Sequence, residues 1–119
     1  MNKAQEHFKA NEDRFNQLYS LYEAYNAHTN ISAIRSKDDV FQKHFLDSLE
    51  ILNHRSFEAG DKILDLGAGG GFPVLPLAIV LPGLKFFALD ATAKKTKFIT
   101  EVKEKLALDN LEILTGRAE

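Results

Sequence analysis

Asp65 through Gly71 reads D-L-G-A-G-G-G, a carboxylate followed by four glycines in five positions, and it comes directly after the apolar residues Ile63 and Leu64. Glycine takes positive φ without strain and has no β-carbon, so a ligand can lie directly on the chain and meet amide donors near a helix N-terminus. A merely tight strand-to-helix turn is the plainer alternative. The dinucleotide fingerprint G-x-G-x-x-G fails in both registers, because its last position falls on Phe72 or on Val74, and the Gly-Lys-Ser/Thr ending of a phosphate-cradling loop is missing as well. What remains is D-x-G-x-G-x-G with a second acid, Asp90, closing the next apolar run, K-F-F-A-L-D. An acid at the end of that strand can accept both ribose hydroxyls of an adenosine ligand, although a solvated strand-end aspartate would look the same in sequence. An adenosine ligand without a pyrophosphate motif points to S-adenosylmethionine. Asp65 then bears on the cationic methionine end, directly or by orienting the loop, and Gly67, Ala68, Gly69 and Gly71 lie beside the methionine moiety.

Two long helices and an alternating α/β stretch must position these residues. Phe8, Phe15, Leu18, Tyr19, Tyr22 and Tyr25 recur at steps of three, four and seven, which predicts one helix from Lys3 to His28 with these rings on one side. H-T-N-I-S-A-I-R breaks the pattern. Ser36 with Asp39 resembles a capping box and precedes Val40, Phe41, Phe45, Leu49 and Leu52, predicting a second helix over Lys37 to His54. After the turn residues Glu58 to Asp61 the rhythm becomes strand K-I-L-D-L-G, short helix P-V-L-P-L-A-I-V-L, strand K-F-F-A-L-D, helix Lys94 to Leu108 and strand L-E-I-L-T-G. Strands alternating with helices require parallel pairing and right-handed crossovers. The fold expected is α/β: residues 59–119 form the βαβαβ half of a doubly wound, Rossmann-like sheet, and residues 1–58 form a helical region preceding it.

These residues together resemble a known family, the bacterial 16S ribosomal RNA guanine-N7 methyltransferases, also called glucose-inhibited division protein B. The likeness runs through N-I-S-A-I-R-S (Asn30 to Ser36), K-H-F-L-D-S-L (Lys43 to Leu49), D-L-G-A-G-G-G-F-P-V-L-P-L-A-I (Asp65 to Ile79), L-D-A-T-A-K-K-T-K-F (Leu89 to Phe98) and G-R-A-E (Gly116 to Glu119). It implies a class I methyltransferase sheet, with Gly67 and Phe72 contacting the cofactor, Asp90, Ala91 and Thr92 on the ribose side, and Ala118 and Glu119 on the adenine side. Three departures stand out: Val74 replaces a glycine common in the family, Lys43 replaces an arginine, and family members continue for roughly another half domain beyond G-R-A-E. The implied substrate is 16S ribosomal RNA in the small ribosomal subunit.

Guanine N7 offers a free lone pair and needs no deprotonation, so methyl transfer to it demands alignment more than an acid or base. No catalytic residue is therefore assigned. His44, Asp47 and Ser48, at i, i+3 and i+4 of the second helix, are the candidates for facing the pocket or the incoming base, with bracing of the glycine loop as the alternative for Asp47 and Ser48. Arg35, Lys43, Lys94, Lys95 and Lys97, with Lys37, are the candidate RNA phosphate contacts; the lysines alone would also suit a solvated helix start.

Composition sets the outer bounds. The 119 residues hold one domain at most, 45% hydrophobic and 27% charged, and a formal charge of −2 gives no global pull on nucleic acid or membrane. The absence of cysteine removes disulfides, thiolate zinc sites and thiol nucleophiles, and no His or carboxylate set has metal-ligand spacing. With no apolar signal core at the N-terminus and no run long enough to span a bilayer, a cytoplasmic location is expected. The first strand should be left with an open edge and an uncovered apolar surface, which invites a homodimer through that edge. Two readings of function follow: an S-adenosylmethionine-dependent methyltransferase of 16S ribosomal RNA, incomplete in this chain, or a catalytically inactive cofactor-binding or assembly module.

Overall fold

The computed structural model describes residues 1–29, 36–66, 71–90 and 93–115, with side chains for all of these except 28, 29 and 93–95. Helix α1 (Lys3–Ala10) is opened by a reciprocal cap in which Asn2 Oδ1 accepts from the Gln5 amide at 2.9 Å and Gln5 Oε1 accepts from the Asn2 amide at 3.1 Å. A separate helix α2 (Glu12–Thr29) follows, so the single helix expected from Lys3 to His28 is broken at Asn11. The break has a local cause. The Asn11 side-chain amide donates to the His7 carbonyl at 2.8 Å, closing α1, while the Asn11 carbonyl accepts from Phe15 and starts α2. Apolar spacing carries through the break, because Phe8 still meets Phe15, at 4.9 Å between ring centroids.

The second expected helix exists as a helical segment over residues 37–53, but it is not uniform. It begins as α3 (Lys37–Val40), with Ser36 Oγ accepting from the Asp39 amide at 3.3 Å, widens to a π turn over Phe41–Leu46, returns as α4 (Asp47–Leu49) and tightens to a 3₁₀ turn over Glu50–Asn53. Val40, Phe45, Leu49 and Leu52 are buried along it.

Strands β1 (Lys62–Leu66), β2 (Lys85–Asp90) and β3 (Leu111–Thr115) form one parallel sheet in the order β1-β2-β3. Ile63 pairs with Phe86 and Phe86 with Leu111, so these three side chains share one face of the sheet. The crossovers run through α5 (Val74–Val80) and α6 (Ala93–Leu106). All seven residues of α5 are buried, the pattern of a helix covered on every side, here by the sheet and the helical segment 37–53. Phe98, Ile99, Val102 and Leu106 turn the apolar stripe of α6 inward. Two tethers fix the crossovers: the Asn110 side-chain amide donates to the Ala78 and Leu81 carbonyls at 3.1 and 3.0 Å, and the Arg14 guanidinium donates to the Leu106 carbonyl.

The other face of the sheet is uncovered. Leu64, Leu66 and Leu114 are 52%, 59% and 40% exposed, and Phe87 and Leu89 between them are half-buried. The chain thus forms a partial Rossmann-like α/β fold with its core on one side.

Asn110→Ala removes both donors to α5 at once, leaving two carbonyls short of partners. We expect a loss of about 1–3 kcal/mol in urea unfolding, whereas Leu66→Gln on the bare face is expected to change stability by less than about 0.5 kcal/mol.

Candidate functional site

The C-terminal ends of the three parallel strands form one edge, and the acids of the sequence analysis lie along it. Asp65 is the penultimate residue of β1 and sits on the covered face with Ile63; its register partner is Ala88. The Val74 backbone amide donates to its carboxylate. The second carboxylate oxygen, Oδ2, is buried and has no hydrogen-bond partner among the described residues. Burial raises the Asp65 pKa above the ordinary carboxylate value, and the Val74 amide offsets this only in part. A carboxylate desolvated and half satisfied is a group arranged for something other than stability.

Asp90 closes β2. Only 6% of it is exposed, which decides against the solvated strand-end alternative, and it pairs in register with Thr115 of β3. Thr115 Oγ1 lies 3.3 Å from Thr96 Oγ1 of α6, and Thr96 is buried, so a pair of hydroxyls flanks the second acid. Sequence reasoning missed this pair, since neither threonine belongs to a recognisable motif and only strand register brings them together.

Gly71 opens the descent into α5 with φ +93°, and its carbonyl accepts the first helical bond, from Leu75, at 2.8 Å. A β-carbon there would stand 2.4 Å from Leu75 Cδ1 and 3.0 Å from Leu75 Cγ. Phe72 follows, joined to Pro73 by a cis peptide bond. Its ring lies against His44, with centroids 4.7 Å apart and planes 12° from parallel, and Tyr22 meets both edge-on at 5.5 and 6.1 Å. Burial lowers the His44 pKa, opposed by the nearby Asp47 carboxylate, so the ring is held toward its neutral form.

The three candidates on the helical segment separate in the structure. His44 faces Phe72; the Ser48 hydroxyl donates to the His44 carbonyl; Asp47 is exposed and lines a hollow against Asn2 and Gln5 at the start of α1. Lys43 is exposed and 4.0 Å from Asp39, and Lys97 projects from α6 into solvent. Lys37 lies over the rings of Tyr19 and Phe41 at 5.8 and 5.4 Å. Gly67, Ala68, Gly69, Ala91, Thr92, Ala118, Glu119 and Arg35, and the side chains of Lys94 and Lys95, lie outside the described residues. Among the described residues, no three His, Asp or Glu side chains gather to hold a metal ion, and no helix is long and apolar enough to cross a membrane.

The glycine turn after β1, flanked by two buried or half-buried strand-end acids, can be compared with known proteins. The family model of rRNA small subunit methyltransferase G matches residues 11–119. The chain belongs to this family. The Ribosomal RNA small subunit methyltransferase G of Thermoanaerobacter sp. (strain X514) is 40% identical over 107 residues, covering 90% of this chain and 45% of its own. That of Fusobacterium nucleatum is 49% identical over 96 residues, covering 80% of this chain and 40% of its own. The chain therefore spans about half the length of the rRNA small subunit methyltransferase G relatives it matches. Among solved structures, a SAM dependent methyltransferase from Aquifex aeolicus superposes with a TM-score of 0.58 at 24% identity, covering 75% of this chain and 46% of that one. The YcgJ protein from Bacillus subtilis gives 0.51 at 23% identity, covering 60% of this chain and 30% of that one. These likenesses show the fold.

Gly71→Ala forces positive φ on an L-residue and pushes into buried Leu75; we expect a loss of at least about 1–3 kcal/mol by thermal unfolding. Because burial lowers the His44 pKa in the folded state, its contribution to stability is complete above the ordinary histidine value of about 6.5. It falls as pH drops below that value toward the lowered folded one, since the unfolded chain takes the proton first. Asp65 behaves oppositely, its folded pKa being raised, so ionising it costs stability as pH rises through the folded value. Asp65→Asn is accordingly expected to raise the melting temperature at neutral pH by a few degrees, read by calorimetry.

Proposed function

We propose that this chain is the S-adenosylmethionine-binding part of a methyltransferase that modifies guanine N7 in 16S ribosomal RNA. The observation that carries the reading is the pair of strand-end acids, Asp65 with a buried oxygen that has no partner among the described residues and Asp90 almost fully buried, at the sheet edge where Gly71 takes the left-handed conformation. In this reading residues 59–119 hold the cofactor and residues 1–58 form the helical region that precedes it.

The residues present suit that cofactor. Asp65 places negative charge beside the turn, where the cationic methionine end would lie, and its Oδ2, without a partner among the described residues, suits a donor from that end or from the glycine-loop amides. Asp90 at the end of the neighbouring strand suits two ribose hydroxyls. Phe72 offers a partly exposed ring beside the turn, and Ala91, Thr92, Ala118 and Glu119 are assigned to the ribose and adenine sides. Bound there, S-adenosylmethionine supplies an electrophilic methyl group. The chain's own task is to bind, align and exclude water; since N7 has an available lone pair, no side chain needs to remove a proton. Lys43 and Lys97, with Arg35, Lys94 and Lys95, supply phosphate contacts that salt weakens. Work on ribosomal RNA implies a cytoplasmic protein.

A second reading rests on a different observation. Among the described residues β1 pairs on one side only, and Leu64, Leu66 and Leu114 are exposed beside that open edge. This favours an assembly module that dimerises through the sheet edge without turning over substrate.

Calorimetric titration with S-adenosylmethionine, then a methylation assay on small-subunit RNA, tests the first reading. We expect binding, and Asp90→Ala to weaken it about tenfold or more by removing charge-assisted hydrogen bonds; a chain that takes up no nucleoside would sink it. Sedimentation equilibrium tests the second: association abolished by Leu66→Lys is expected from it, and a wild-type chain that stays monomeric at high concentration discards it.

A further inference from the structure

We infer that His44 is a positioning residue for the cofactor turn: its imidazole sets the plane of the Phe72 ring, and the π turn over Phe41–Leu46 is what delivers it there. The inference rests on the cofactor reading above and concerns how that site is held in shape. Its basis is geometric. The His44–Phe72 pair is the closest and the flattest of the ring pairs among the described residues, at 4.7 Å and 12°. Phe72 is held from two further directions, by Phe45 at 5.8 Å and by Tyr22 edge-on at 6.1 Å. Phe45 and Tyr22 are fully buried, whereas His44 and Phe72 are only half-buried and so stand at the rim where the aromatic cluster meets the candidate site.

The backbone explains why a histidine reaches this position. In a regular α-helix each amide bonds four residues back, but here the Asp47 amide is shared between the Gln42 carbonyl, five residues back, and the His44 carbonyl, three back. Such a widened turn carries an extra residue and rotates the side chains that follow it, and it recurs at functional sites because it is costly elsewhere. The widening surrounds Lys43 and His44. The Ser48 hydroxyl also donates to the His44 carbonyl, which thus accepts from both Asp47 and Ser48 at the end of the widened turn. On the opposite side, Phe72 directly follows the positive-φ Gly71, and Gly71 cannot take a β-carbon without striking Leu75, so the backbone on either side of the stack has little freedom.

A flat ring against a flat ring fixes the orientation of Phe72 while leaving its outer side open. A neutral imidazole suits this better than a charged one, since the stack lies against buried apolar rings. His44 therefore acts through Phe72 and through no proton transfer of its own.

Titration of the whole chain with S-adenosylhomocysteine at pH 8, for wild type and variants, tests this. His44→Ala is expected to weaken binding by about two- to tenfold, the range of an aromatic pair, and His44→Phe to restore it to within about twofold. In a Phe72→Leu background, His44→Ala should have no further effect. His44→Leu, which fills the space without a ring, is read in place of His44→Ala if circular dichroism shows the alanine variant unfolded, and is expected to bind as weakly. Affinity unchanged in the ringless variant, affinity lost equally in His44→Phe, or the same fold-loss with Phe72 replaced would each overturn the proposal while leaving the cofactor reading intact. A wild-type chain that binds no S-adenosylhomocysteine removes the cofactor reading, and this proposal with it.

Discussion

Parallel pairing of β1 with β2 is the constraint from which the other features follow. Two adjacent parallel strands cannot be joined by a hairpin, so the chain must travel back along the sheet before it enters β2. That return is α5, seven residues buried on every side, and its first helical bond runs from Leu75 to the Gly71 carbonyl. The chain enters α5 through Gly71 in the left-handed region, with Phe72 beside it. The position of Gly71 at the C-terminal edge of the sheet follows from strand pairing and from the packing of α5.

At this edge the desolvated Asp65 carboxylate runs against stability. Asp65 sits half-buried with one oxygen unpartnered among the described residues, and Asp90 is almost entirely buried. Hydrophobic burial elsewhere must offset the desolvation of these carboxylates, and the continuous core of Phe15, Leu18, Phe45, Leu75, Phe86, Phe98 and Ile99 supplies it. The helical region is thus part of the same core as the sheet. Arg14 reaches the end of α6, and Tyr22 touches His44, Phe72 and Phe98, so α2 supports the crossover helices and the turn together.

The two faces of the sheet answer to different demands. On the covered face, Phe86 and Leu111 are fully buried in register. On the other, leucines of β1 and β3 stand in solvent, consistent with a chain that spans about half the length of its relatives. Strands buried on both faces read as continuous apolar runs. L-E-I-L-T and K-F-F-A-L-D have that character, although only one face is covered in this chain.

Much of the fold was legible in the residues themselves. Alternating apolar runs and turn residues placed all three strands and both crossover helices within a residue or two, because period and turn chemistry are local properties. The acid closing β2 was legible as well, because it directly follows the apolar run that forms the strand. The break at Asn11 was not, because one side-chain amide competed with a helix period that continued unchanged on either side. The π turn was equally hidden, since Phe41, Phe45 and Leu49 fit a regular helix as well as a widened one. Only tertiary structure brought Thr96 to Thr115, stacked His44 on Phe72 and sent Asp47 toward α1. Sequence spacing reports which residues share a face of one element; which faces meet is decided by packing density and strand register, and those exist only once the chain has closed on itself.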